Sequence, residues 1–204
     1  VPPLDAKEVA KIAESVGRYQ PHDRDGDEAM RVARVVLAQH YDGGKHLVYA
    51  EDGMFWSYNG SRWQPISQRA IEKVILNVIN GLLDGHSATA SIMTQAVTLI
   101  RAEVASDTDV LGFSSDPRPV INCANGELWL APDGTAELRP HRHDSYLRTC
   151  LDVSYSPEAR CPKFDTALRD IFAKAVDPGA MATYWFEIMG YILQPDRSIP
   201  CILI

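Results

Sequence analysis

Four hairpin-type dipeptides, Asp52-Gly53, Asn59-Gly60, Asn125-Gly126 and Asp133-Gly134, lie between short strand-like runs, and they limit what this chain can fold into. Asn-Gly and Asp-Gly tolerate the positive φ that tight reversals need, so each run is expected to pair antiparallel with the next. Between the two groups of hairpins the apolar spacing lengthens from two to three and four residues, the period of a helix. The chain therefore reads as α+β, with a helical hairpin and short helices beside small antiparallel β-hairpin sheets.

Asp5 to Val16 has the charge spacing of a short helix, closed by Gly17 and Pro21. The cluster Asp23-Arg24-Asp25-Gly26-Asp27-Glu28 is similar in composition to a calcium loop. Its glycine is misplaced, however, and Arg34 stands where the last carboxylate belongs, so it reads as the polar start of the next helix. That helix carries Met30, Ala33, Val36, Leu37 and His40 on one side and ends at Asp42-Gly43-Gly44. A meander of His46–Tyr49, Met54–Tyr58 and Arg62-Trp63 follows. A helical hairpin is expected next, with Ile71, Val74, Ile75, Val78, Ile79 and Leu82 on its first stripe and Ile92, Ala96, Leu99, Ile100 and Val104 on its second.

Beyond the polar stretch Ser106–Pro119, the runs Val120–Cys123, Glu127–Leu130 and Thr135–Leu138 form a second meander. Cys161-Pro162-Lys163-Phe164 begins a helix with the apolar stripe Phe164, Leu168, Ile171 and Phe172, which stops before Asp177-Pro178-Gly179. A further helix passes through Tyr184, Trp185, Ile188, Met189 and Ile192. Ile199–Ile204 then reads as a short buried strand with no partner after it, the threshold of an α/β nucleotide-binding domain. The expected organisation is a lead-in over 1–26, a helical and β-meander subdomain over 27–116, a hairpin and two-helix subdomain over 117–198, and the strand 199–204.

Twenty Lys and Arg against 27 Asp and Glu give a net charge of −7, which excludes a strong, distributed nucleic-acid surface; any DNA contact must be local. Cys123, Cys150, Cys161 and Cys201 form no C-x-x-C pair and are expected as reduced, buried thiols. No apolar run reaches the roughly 18 residues of a membrane span, and Val1-Pro2-Pro3-Leu4 lacks the form of a signal peptide, so a cytoplasmic protein is expected.

Trp56, Tyr58, Trp63, Lys45 and Arg62 could form an aromatic and basic platform for single-stranded nucleic acid. The competing reading is that the aromatics pair across the sheet. Arg139-Pro140-His141-Arg142-His143-Asp144 is the one locally basic stretch, and three readings are open for it. It could bind a metal, although His141 and His143 supply too few ligands. It could contact nucleic acid or a neighbouring subunit through Arg139, Arg142 and Arg148. It could also be a solvated strand exit. No spacing supports a nucleophile-base pair or a metal set, and Asp23, Asp25 and Asp27 sit at a helix start rather than on paired strands that could gather metal-binding carboxylates.

Three runs carry a family resemblance: Ile121-Asn122-Cys123-Ala124-Asn125-Gly126-Glu127-Leu128-Trp129-Leu130, then Pro140 with Asp144-Ser145-Tyr146-Leu147, then Leu151–Phe164. Together they resemble the domain that precedes the ATPase in phage and plasmid primase-helicases, shared with poxvirus-type NTPases. Tyr184–Leu193 is similar to the family's entry into its superfamily 3 helicase core. The resemblance implies a parent that hydrolyses ATP as a ring on DNA, with ATP and magnesium held by a Walker A loop after the strand corresponding to Cys201–Ile204. No cofactor is expected in this chain itself. The expected role is an accessory collar, guiding single-stranded or forked DNA and assembling the ring, with Arg139, Arg142, Arg148, Arg62, Lys45 and Trp63 as polynucleotide contacts. The alternative is a structural domain that binds only protein.

Overall fold

A computed structural model describes residues 24–82, 89–106, 111 and 118–193. The expected lead-in helix Asp5–Val16, the helix end at Asp84-Gly85, most of the 106–119 linker, Cys201 and the terminal strand Ile199–Ile204 lie outside the described residues. The described elements are α+β, and the chain divides into two compact units, Val1–Leu111 and Gly112–Ile204.

In the first unit, α1 (Arg24–His40) begins within the acidic cluster. Its buried stripe is Ala29, Val32, Ala33 and Val36, with Val35 and Leu37 beside it. Met30 was expected on that stripe and is exposed instead, because it shares the outer side of the helix with exposed Arg31 and Arg34. A 3-10 turn (Asp42–Gly44) reverses the chain with positive φ at Asp42, Gly43 and Gly44. The antiparallel meander β1 (Leu47–Tyr49), β2 (Phe55–Tyr58) and β3 (Trp63–Ile66) follows, each strand paired with the next. Pro65 on edge strand β3 removes one exposed donor, a common protection against edge pairing.

Helices α2 (Gln68–Leu82) and α3 (Thr89–Glu103) complete this unit. The expected hairpin is part of a three-helix layer, since α1 packs most extensively on α3 and α2 touches both. Ile71, Ile75, Ile79, Ile92, Ala96 and Ile100 meet Leu47 and Phe55 of the sheet in one core. The chain after α3 joins the edge of β1, with Tyr49 N donating to Val104 O at 2.8 Å and Ser106 N to Tyr49 O at 3.1 Å.

The second unit holds the meander β4 (Val120–Cys123), β5 (Gly126–Leu130) and β6 (Ala136–Arg139). The first reversal falls one residue earlier than the Asn-Gly pattern suggests, since Gly126 already pairs with Cys123. An extended segment lies beside β4, held partly by asparagine side chains. Asn122 Nδ2 donates to Thr149 O at 2.8 Å, and Asn125 both donates to Tyr155 O and accepts from Tyr155 N at 2.9 Å. Two helices follow, α4 (Pro162–Phe172) and α5 (Pro178–Leu193). Each has proline at its first position, and Asp177 Oδ1 caps α5 by accepting from Ala180 N at 2.9 Å.

Of the stripe expected to bury α4, Leu168 is buried and Phe172 half-buried, while Phe164 and Ile171 are exposed. In α5 no residue is buried. The cysteine expectation also needs correction: Cys123 is buried, Cys150 is half-buried and Cys161, just ahead of α4, is exposed; all three are free thiols.

Candidate nucleic-acid interface

Lys45 follows the 3-10 turn and lies 3.6 Å from Asp42, with both side chains mostly exposed. Arg62 leaves the Asn59-Gly60 turn, whose shape is set by Asn59 Oδ1 accepting from the backbone N–H of Ser61 and of Arg62 at 3.0 Å each. Trp63 is 1% exposed. Its ring stands 5.8 Å from that of Tyr58, its partner across β2 and β3, and Tyr58 in turn stands 5.1 Å from His46. The ring is therefore packed into the protein and, in this conformation, offers no face on which a base could stack. Trp56 is half-buried and donates its indole N–H to Asp52 Oδ2 at 3.2 Å.

The basic stretch of the second unit is organised around Glu127, which is 0% exposed. Glu127 Oε2 accepts from Ser145 Oγ at 2.8 Å and from Trp129 Nε1 at 3.1 Å, while Oε1 accepts from Arg142 N at 2.9 Å. A buried carboxylate is tolerated when its oxygens are filled with donors, and here three donors from two stretches of chain fill them. The result fixes the exit of β6 and the 3-10 turn His143–Ser145 against β5.

Arg139 and Arg142 extend outward from this support. Arg139 Nε and Nη2 donate to Glu137 Oε2 at 2.9 and 2.6 Å, with the guanidinium 5.2 Å over the Trp129 ring. Arg142 grips Asp144 with both arms of its fork, Nε to Oδ1 at 2.8 Å and Nη2 to Oδ2. The Arg142 hydrogen bond holds the Asp144 carboxyl down at about 2, and the same pairing raises Arg142. Arg118 Nη1 donates to Asp144 O at 3.2 Å. Arg148 is half-buried and has partners of its own.

Of the six residues proposed from sequence, Arg139 and Arg142 stand on one framework with Arg148 a few residues on; Lys45, Arg62 and Trp63 belong to the other unit. Sequence reasoning passed over Glu127, Arg118 and Asp144. Glu127 carried one signal, a lone acid within an otherwise apolar strand run. His141 Nε2 lies 3.4 Å from Ala124 O, and no group of three His, Cys, Asp or Glu among the described residues is arranged to hold a metal. Burial, and then Cys150, push the Cys123 thiol up, away from nucleophilic use. A small cleft between α2 and α3 contains Arg101, whose guanidinium is stacked over Tyr49 at 4.8 Å and bonded to Gln68 Oε1 at 3.0 Å. No described helix is long and apolar enough to cross a membrane.

A family model described as D5 N terminal like matches residues 35–173, more than half of the chain. No curated protein matches it.

Proposed function

The chain belongs to the D5 N-terminal-like family, the N-terminal domain of phage and plasmid primase-helicase proteins, and from that premise we propose that it is an accessory module that helps assemble the replication ring and guide DNA. The observation that carries this reading is the α4–α5 hairpin. Helix α5 is apolar over most of its circumference, interrupted by Thr183 and Glu187, yet buries no residue, and Tyr184, Phe186 and Ile171 of the pair are 57%, 53% and 70% exposed. A largely apolar helix is normally a covered helix, and large apolar side chains left exposed on a pair of packed helices support a docking face for another protein.

The DNA-guiding part rests on Arg139, Arg142 and Arg148, with Lys45 and Arg62 contributing from the first unit. Trp63 is not among these contacts, because its ring is buried. In this reading ATP and magnesium are held by the helicase core of the parent protein, which works as an oligomer in the cytoplasm. In a second reading the module binds only protein. It is favoured by the acidic balance of −7 and by the acids already paired with Lys45, Arg139 and Arg142.

An electrophoretic shift with single-stranded, duplex and forked DNA, at low and moderate salt, separates the two. A shift at low salt that fades as salt rises supports DNA guidance. No shift at low salt leaves the protein-only reading.

A further inference from the structure

The pairing of Arg142 with Asp144 has a form that an ordinary surface ion pair does not require. The guanidinium fork holds two carboxylate oxygens, the arrangement in which arginine also holds two oxygens of a phosphate. The pair faces solvent, with 63% and 46% of the two side chains exposed. The position of Arg142 does not depend on the pair, because its backbone N–H is anchored on buried Glu127, and Ser145 is anchored on the other oxygen of the same carboxylate.

Other donors converge on the same spot. Arg118 reaches the carbonyl of Asp144, and His143 is the neighbouring residue of the same turn. Arg142 on the carboxylate and Arg118 on the carbonyl thus meet at one residue, on a turn whose backbone is fixed from beneath.

We propose that Arg142, with Arg118 and His143 beside it, is a phosphodiester subsite that the chain's own Asp144 occupies until nucleic acid displaces it. The inference rests on the DNA-guiding part of the reading above and adds its regulation. An exposed ion pair contributes little to folding, so exchanging the carboxylate for a phosphate of the same fork geometry leaves the scaffold intact. Asp144 then acts as an internal competitor that keeps affinity low for isolated phosphates, while a polynucleotide engaging several cations at once displaces it.

The test is fluorescence anisotropy of a fluorescein-labelled oligothymidine titrated with the 204-residue chain at several salt concentrations. Four proteins are compared: wild type, Asp144→Asn, Asp133→Asn and Asp144→Asn with Arg142→Gln. Asp133 is an exposed turn carboxylate in the same unit, so its substitution makes the same change in net charge without freeing Arg142. Asp144→Asn is expected to bind about fivefold tighter than wild type, the loss of one surface ion pair expressed as affinity. Its salt slope should steepen by about one. Asp133→Asn should change little, and adding Arg142→Gln should abolish the gain. Binding by Asp144→Asn where wild type shows none even at low salt overturns the proposal, since nucleic acid then does not displace Asp144.

If wild type binds and Asp144→Asn matches Asp133→Asn, the proposal is overturned while the DNA-guiding reading stands. If neither wild type nor Asp144→Asn binds at low salt, the reading fails and the proposal fails with it. Melting curves of all four proteins confirm that each is folded at the temperature of the titration.

Discussion

Ser145 Oγ donates to Glu127 Oε2 across 2.8 Å, and both residues are buried. The same carboxylate holds the Trp129 indole and the Arg142 backbone, so one side chain joins β5, the exit of β6 and the turn that displays the basic residues.

Replacing Glu127 with glutamine keeps the shape but turns one acceptor into a donor facing other donors. A loss of about 1–3 kcal/mol is expected, the cost of leaving a buried polar group unpaired. Urea unfolding followed by tryptophan fluorescence reads it, and a variant within a few tenths of wild type would contradict the role assigned to this carboxylate.

Gly126 packs against the backbone of β6. A Cβ there would collide with Arg139 O, and the residue holds φ at +148°. Gly126→Ala should therefore destabilise the second unit by about 2 kcal/mol or more, because the obstacle is a backbone carbonyl that cannot swing aside. The midpoint of chemical denaturation checks this.

The Asp144 carboxyl should titrate near 2 in wild type, because Arg142 bonds to its ionised form. In Arg142→Gln it should return towards 3.8. A carboxyl depressed in the folded state adds its stabilisation above the unfolded value and loses it as pH falls through the folded one, so in wild type the contribution is fully present at neutral pH and is lost between about 4 and 2. Carboxyl chemical shifts followed through an acid titration by NMR report both midpoints.

Trp63→Ala removes a buried ring from β3 and should cost about 3–5 kcal/mol of stability, as large truncations in packed interiors do. Thermal melting reads the loss. A variant that melted like wild type but bound DNA less well would return Trp63 to the interface.

Ile171→Asp combined with Phe186→Ser places polar groups on surface that is already exposed. Stability should change by no more than about 0.5 kcal/mol, while any self-association measured by light scattering over a concentration series should weaken. Unchanged association together with lowered stability would mean that the face is internal packing.

The helices and hairpins were legible because their signals are local. Ile71, Ile75 and Ile79 mark a helical face without reference to anything else, and Asn59-Gly60 sets a turn through its own side chain. What was not legible depends on partners distant in sequence. The stripe Phe164, Leu168, Ile171 declares an amphipathic helix but not what covers it, and only Leu168 is covered. Trp63 and Trp56 look alike in a hairpin sequence, and only the packing shows that one is sealed and the other half-open. Glu127 has no periodic signature, since its burial rests on Ser145, eighteen positions away. The pairing of Glu137 with Arg139 had a signal that went unused, because residues two apart on a strand share a face.

The central claim is that a chain with a net charge of −7 still guides DNA through a few placed arginines. The most direct measurement is the affinity for forked DNA, as a function of salt, of wild type and of a variant with Arg139, Arg142 and Arg148 all changed to alanine. The account predicts binding by wild type that weakens steeply with salt, and a variant that is weaker at low salt with a shallower slope. Equal affinity and equal slope for the two proteins, or no binding by wild type at low salt, would contradict it.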